Sequence, residues 1–190
     1  MRLPLLGIVL SAGGLASAAP VTYEIDPDHT YPIFEADHMG GVSVWCGMMT
    51  KSGGTVTLDK EAGAGSVDVT VDLASIDFGQ RQLNNWAKGP QFFDTSQNGN
   101  AVYRGRLEAF VNGAPTQVVG ELAMRGVTRP LKLKIDSFKC VPHPLLKRDL
   151  CGADAVGSFN REDYGLGAFK DWGFKMDVLL RIQVEALATQ

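Results

Sequence analysis

The sequence contains few residues of the kinds that carry out chemistry in enzymes. Three cysteines and three histidines occur among its 190 residues. It has no H-E-x-x-H metal motif, no G-x-S-x-G nucleophile motif and no glycine-rich loop that opens a helix to bind phosphate. The Gly-x-Gly at 63–65 joins two segments with strand patterns, so it predicts a turn. The motifs therefore give no support to a catalytic site, and no metal site is predicted.

The chain also lacks blocks of positive charge. It holds 18 basic and 21 acidic residues, and no cluster of lysine and arginine stands out. Nucleic-acid-binding proteins neutralise several phosphates with such clusters, and anionic membrane surfaces attract the same clusters. The composition argues against a nucleic-acid partner and against attachment to a membrane through charge.

No apolar run is long enough to cross a membrane. The apolar residues 3–10 are followed by small and polar residues, whereas a transmembrane helix needs about 20 apolar residues. Arg2 precedes this run and Ala16-Ser17-Ala18 follows it, which is the pattern of a secretory signal peptide cleaved after Ala18. We therefore expect residues 1–18 to be a signal peptide and 19–190 to be a single domain, located in the periplasm without a stable membrane anchor.

Export makes the cysteines informative, because an oxidising compartment permits disulfides. Cys140 and Cys151 bracket a stretch with two prolines and no clear period, so a disulfide there would staple a loop. Cys46 is left over, and we expect it to be a small buried hydrophobe. A link to a second copy in a dimer is left open. The absence of paired C-x-x-C spacing argues against zinc.

The dominant period of the sequence is two. Residues 66–73 place valines at alternate positions, with Asp68, Thr70 and Asp72 between them. Residues 130–136 and 175–186 repeat this alternation, which is typical of antiparallel strands with one dry face and one wet face. Weaker strand patterns lie at 21–26, 31–36, 42–51, 54–59, 102–111 and 116–125.

One stretch, 79–89, has apolar residues at helical spacing and ends at Gly89-Pro90. Many strands with one short helix predict an all-β sandwich or closed barrel. Glycines within the strand patterns (Gly47, Gly105, Gly120 and Gly173) favour curvature and closure, which also removes exposed sheet edges.

Two of the three histidines lie in the stretch 28–41, DHTYPIFEADHMGG. His29 and His38 have opposite parity, so on one regular strand they would face opposite sides and could not share a metal. We expect both to be buried, hydrogen-bonded residues that anchor the fold. For His38, a polar contact at a ligand mouth is the alternative. Either histidine could pair with a nearby aspartate in acid–base chemistry, although no partner motif is visible.

Aromatic residues are spread over the whole chain and have two interpretations. They could form an ordinary core, or they could line a long apolar cavity. An eight-stranded barrel is wide enough either to be filled by its side chains or to hold a ligand. Composition does not separate these two interpretations.

The order of landmarks along the chain resembles the YceI-like family of polyisoprenoid-binding proteins. These landmarks are the 23–41 opening, LASIDFG, LNNWAKGPQFFD, GELAMRGVTRPLKLKI, FNREDYGLG and the last alternating strand. The resemblance implies an antiparallel, eight-stranded, lipocalin-like barrel with one short helix. It also implies a carrier of an isoprenoid or other amphiphilic lipid, with no established catalytic residues. The opening histidines match a family pattern and would then pin the barrel end.

A lipid chain is held well by a dry interior, because each buried methylene contributes about 0.8 kcal/mol. Parity predicts a set of inward apolar residues that would line the ligand site, and a one-residue slip in register would turn every one of them outward. The set is Phe34, Val69, Val71, Phe92, Leu107, Leu122, Leu133, Leu180 and Ile182.

We expect an isoprenoid lipid or a quinone as the ligand and no other cofactor. Two alternatives remain open at this point. One is an enzyme, such as a hydrolase, that acts on such a lipid. The other is an envelope-stress structural protein whose core is filled.

Overall fold

In the computed structural model, which describes residues 19–189, more than half of the described residues lie in β-strands. The predicted signal peptide at 1–18 lies outside the described residues. The strands are β1 (Val21–Ile25), β2 (Tyr31–His38), β3 (Ser43–Met49), β4 (Ser52–Asp59), β5 (Ala64–Asp72), β6 (Ile76–Asp77), β7 (Asn100–Glu108), β8 (Gln117–Met124), β9 (Val127–Pro142), β10 (Asp149–Asn160) and β11 (Asp177–Ala188). One α-helix, α1 (Arg81–Lys88), connects β6 to β7.

These segments build a closed antiparallel barrel of eight strands, as the family resemblance implies. Three of the eight strands are interrupted, so that each is made of two segments: β1 with β2, β3 with β4, and β5 with β6. Each strand pairs with the next one along the chain, and β11 closes the ring against the first strand. The closing register pairs Tyr23 with Ala188 and Phe34 with Leu180.

The alternation of apolar and polar residues in the sequence corresponds to side chains that face the inside and the outside of the barrel in turn. In β5, Val67, Val69 and Val71 point inward, while Asp68 and Thr70 are exposed outside. Glycines permit the closest approaches between neighbouring strands: Gly105 pairs directly with Gly120, and a Cβ on Gly105 would lie 2.8 Å from Cγ1 of Val118. The expectation that strand glycines allow the sheet to curl fits this pair, but Gly173 lies in a turn and not in a strand.

The sequence analysis does not predict strand β10. Because Cys151 lies on this strand, the disulfide has a different setting from the loop that was expected. β9 extends to Pro142 and β10 begins at Asp149, so both ends of the stretch expected to be a loop belong to the strands of a long hairpin. Cys140 and Cys151 sit directly opposite each other on these strands, form the disulfide, and have Cα atoms 4.0 Å apart. The bridge therefore joins two strands, and the connecting loop shrinks to 143–148.

Cys46 is not the buried hydrophobe expected from its sequence. It is a free, exposed cysteine on the outer face of β3, opposite Glu35. Its neighbours Trp45 and Gly47 take the inward positions on that strand. The alternation of β3 thus places the thiol in solvent.

The two ends of the barrel differ in construction. The helical end carries α1, the turn at 39–42, the turn at 125–126 and the segment 161–176. The disulfide end carries the turn at 60–63, the loops at 109–116 and 143–148, and the Cys140–Cys151 bridge. Within residues 19–189, no helix is both long and apolar enough to cross a membrane.

Candidate functional site

A cavity of about 300 Å³ lies inside the barrel and is lined almost entirely by apolar side chains. This volume is at the lower end of the range for pockets that hold small ligands. The nine residues that parity predicts to face inward all border it: Phe34, Val69, Val71, Phe92, Leu107, Leu122, Leu133, Leu180 and Ile182. Eight of them lie on strands at inward positions and Phe92 lies in the segment after α1, while a contact of these residues with a ligand stays a prediction.

The interior of the barrel is not filled by its own side chains. Inward residues such as Val69, Leu180 and Ile182 are only partly buried, although they lie inside a closed wall. Native cores are close-packed and hold few voids larger than a water molecule. An apolar surface that remains accessible inside a barrel is a feature of a container and not of a filled core.

The disulfide end forms the floor of the cavity. Tyr23, Ile25 and Leu58 border the cavity there and are nearly inaccessible, and Pro115 is fully buried. Farther along the wall, toward the helical end, the hydroxyl of Tyr103 donates a hydrogen bond to the carbonyl of Leu131, 3.0 Å away, and burial raises its pKa far above the usual value. This buried hydroxyl is thus satisfied by the wall itself.

The helical end is rimmed by aromatic rings that come from separate parts of the chain. Trp86 of α1 packs against Phe92, with ring centroids 5.0 Å apart, and against Phe169, with centroids 5.1 Å apart. Phe169 in turn contacts Trp172 and Phe174. Trp86 and Phe169 border the cavity and remain partly exposed, which places its mouth at this end.

His38 completes this rim and is not deeply buried. It has the inward parity of β2, and its imidazole stacks on Trp45 with ring centroids 4.1 Å apart. Its Nδ1 lies 3.2 Å from the hydroxyl of Ser43, with which it shares a hydrogen bond. His38 thus lies beside the mouth, where a contact with a ligand remains a proposal.

His29 does not have the buried position that was expected. Its side chain is 63% exposed and lies in the short helical turn between β1 and β2. It keeps a hydrogen bond to Asp26, 2.8 Å away, which raises the pKa of the imidazole and lowers the pKa of the carboxyl. His29 therefore braces an outer turn and takes no part in the cavity.

Two segments of the helical end are joined through one carboxylate. Asp37 Oδ2 accepts hydrogen bonds from the backbone N–H of Gly40, 2.9 Å away, and of Lys175, 3.0 Å away. These bonds, with that of Lys175 the stronger influence, lower the pKa of Asp37. They tie the turn at 39–42 to the segment 161–176, on either side of the mouth.

Arg161 is the functional candidate that sequence reasoning missed. It begins the short helix Arg161–Tyr164 after β10, is only 6% exposed, and borders the cavity. Its guanidinium donates to the backbone carbonyls of Leu166 and Ala168, and its Cζ lies 5.8 Å from the ring centroid of Phe92. Burial lowers its pKa. The arginine was visible within the REDYG landmark, but an arginine in sequence usually indicates a solvated position.

Among residues 19–189 there is no group of three or more His, Cys, Asp or Glu side chains placed to hold a metal ion. The site that residues 19–189 form is an apolar cavity with the buried cation of Arg161 near its aromatic rim. The protein-family model described as the YceI-like domain matches the sequence over residues 23–186, which is nearly all of the described chain. The chain belongs to the YceI-like family.

Relatives of this YceI-like protein agree with that assignment. It is 27% identical, over 176 residues, to a UPF0312 protein of Pseudomonas aeruginosa, covering 91% of this chain and 85% of the relative. Two solved structures share the fold. BcnA of Burkholderia cenocepacia has a TM-score of 0.68 and 19% identity, covering 85% of this chain and 98% of its own. A polyisoprenoid-binding domain from Saccharophagus degradans has a TM-score of 0.64 and 15% identity, covering 88% and 99%.

Proposed function

We propose that this YceI-like protein is a periplasmic carrier that holds the chain of an isoprenoid or related amphiphilic lipid inside its barrel. The observation that carries the proposal is the enclosed apolar cavity, whose lining stays accessible although the wall around it is closed. The polyisoprenoid-binding domain of Saccharophagus degradans, which has the same fold, supports the same class of ligand.

Physical chemistry supports a carrier without catalysis. Each methylene that moves from water into the cavity contributes about 0.8 kcal/mol, so about twenty buried methylenes contribute roughly 16 kcal/mol, which exceeds the about 4–15 kcal/mol lost in translational and rotational freedom. No chemical step is needed to hold such a chain. The periplasmic location depends on the predicted signal peptide at 1–18.

The direct test uses the protein purified from its own periplasm without detergent. An intact native mass followed by solvent extraction is expected to show one lipid per chain and to identify it as an isoprenoid or a quinone. An empty protein that also refuses added polyprenols and quinones would contradict the proposal. Release of a chemically altered lipid during incubation would favour the enzyme alternative.

A further inference from the structure

Arg161 presents an unusual electrostatic situation inside this cavity. Its guanidinium is buried at the helical end, and the hydrogen-bond acceptors recorded for it are two neutral backbone carbonyls. The Phe92 ring adds a cation–π contact, which is also neutral. The ion pairs found within residues 19–189 do not include Arg161.

The nearest acidic residues are already engaged elsewhere. Glu162 forms an ion pair with Lys170, with Nζ and Oε1 2.6 Å apart. Asp37 accepts two backbone hydrogen bonds. Both act on Arg161 through charge at a distance. A cation in a low-dielectric interior is costly unless an opposite charge accompanies it, and carbonyl groups solvate it without neutralising it.

The cavity next to Arg161 has the opposite character. The strands that lead away from it toward the disulfide end present Leu122, Leu133 and Leu180 to the interior. An occupant that satisfies both regions has an apolar chain and one negatively charged oxygen group at its end. Arginine suits this role because its planar group donates several hydrogen bonds to carboxylate or phosphate oxygens.

We infer that Arg161 binds the headgroup of the cargo, and that the cargo is therefore a lipid with an anionic oxygen headgroup, a phosphate or a carboxylate. The headgroup lies at the helical end beside Phe92, and the chain extends toward the floor of the barrel. This inference rests on the proposed function as a lipid carrier and adds the class and orientation of the ligand.

Arg161 also holds the loop that contains Leu166 and Ala168, so a test must separate headgroup binding from support of the loop. Arg125 offers a matched control. It lies at the same end and donates to the carbonyl of Tyr164, 2.9 Å away, within the same segment, but it does not border the cavity. Loss of either arginine removes a bond to this segment, and only loss of Arg161 removes charge from the cavity.

The experiment compares lipids that share a chain and differ in headgroup. Delipidated protein is titrated with geranylgeranyl phosphate and geranylgeraniol, and separately with palmitate and hexadecanol. Wild type is expected to bind at least one anionic lipid about tenfold or more tightly than its matched alcohol, as a charge-assisted hydrogen bond in a dry site allows. The pair with the larger ratio shows whether phosphate or carboxylate is preferred.

The variants then locate the preference. R161Q is expected to bring the ratio close to one while retaining affinity for the alcohol, and R125Q is expected to keep the wild-type ratio. If R161Q does not fold, NMR of the arginine Nε–Hε groups in wild type replaces it. The Arg161 resonance is expected to shift with geranylgeranyl phosphate and not with geranylgeraniol, with Arg125 as the internal reference.

The outcomes separate this inference from the proposed function. If wild type binds the alcohols and the anions equally, or if R161Q keeps the preference, the headgroup assignment is wrong while the carrier proposal stands. If wild type binds none of the four lipids but takes up a quinone, the headgroup assignment alone is wrong. If it also refuses polyprenols and quinones, the carrier proposal itself fails.

Discussion

The imidazole of His38 lies nearly parallel to the indole of Trp45, with ring centroids 4.1 Å apart and 17° between the ring planes. Phe174 meets both rings at their edges, at 5.2 Å from His38 and 6.2 Å from Trp45. The β2–β3 hairpin and the segment 161–176, which is distant in sequence, thus form one aromatic wall of the mouth. In this wall the histidine acts as a flat ring, with a single polar tether to Ser43.

Replacing His38 tests whether its ring or its nitrogen matters. H38A is expected to speed release of a bound lipid about two- to tenfold, because aromatic pairs contribute about 0.5–1.5 kcal/mol beyond their burial. H38F keeps a ring and is expected to release lipid at the wild-type rate. Stopped-flow displacement of a fluorescent fatty acid measures both. Equal acceleration in H38A and H38F would instead assign the role to the imidazole nitrogens.

Filling the cavity should abolish binding without weakening the fold. Val69 faces the open interior between Gly54 and Tyr103, so V69F is expected to reduce lipid affinity at least about tenfold and to leave the melting temperature unchanged or raised. T70F, one residue along and facing solvent, is the matched control and should bind normally. Normal binding by V69F would mean that the lipid does not enter the barrel at this level.

The disulfide is expected to stabilise the hairpin of β9 and β10. The double variant C140A/C151A should lose about 2–4 kcal/mol of unfolding free energy, the usual magnitude for a bridge that closes a short loop. Urea denaturation followed by tryptophan fluorescence measures the loss. C46S removes the exposed free cysteine and should leave the midpoint unchanged. A midpoint of C140A/C151A equal to that of wild type would show that the paired strands hold the hairpin without the bridge.

The Asp26–His29 pair should titrate as a unit on the outer surface. The hydrogen bond to Asp26 raises the pKa of His29 above its ordinary 6.5, so D26N should lower that pKa, as NMR of the imidazole can record. D28N should have a smaller effect, since Asp28 acts only through charge. A His29 pKa that does not change in D26N would refute the assigned cause.

The pH dependence of the turn follows from the same pair. The His29 contribution is fully present below pH 6.5 and fades as pH rises through its raised pKa. The Asp26 contribution is present above its ordinary 3.8 and fades as pH falls through its lowered pKa. The pair therefore supports the turn best between these limits. Amide exchange across the turn at pH 5 and pH 8, divided by the intrinsic exchange rate at each pH, measures this, with less protection expected at pH 8.

The barrel was predictable from sequence wherever large apolar residues alternate with polar ones, as in β5 and β11. β10 was missed because its inward positions hold small residues such as Ala153 and Ala155, which give a weak signal. The small size is required: a Cβ on Gly157 would lie 2.6 Å from Cδ2 of Leu133. Long side chains from the neighbouring strand occupy the space that β10 leaves.

Single residues were harder to predict than strands. Cys46 lies on a strand whose outward positions, Val44 and Met48 among them, are as apolar as its inward ones, so parity could not be chosen by composition. The burial of Arg161 could not be predicted from its sequence position, because it depends on how the segment 161–168 folds. That fold brings the carbonyls of Leu166 and Ala168 to the guanidinium. Such positions depend on contacts that sequence periodicity does not encode.

For the proposed carrier, the unequal ends of the barrel determine how a lipid can be handed over. One end of the barrel has a packed floor and the other has a partly exposed aromatic rim. The lipid would therefore enter and leave through the same mouth. A donor and an acceptor cannot be served by the same molecule at the same moment. Such a carrier would bind a new lipid only after it has released the previous one.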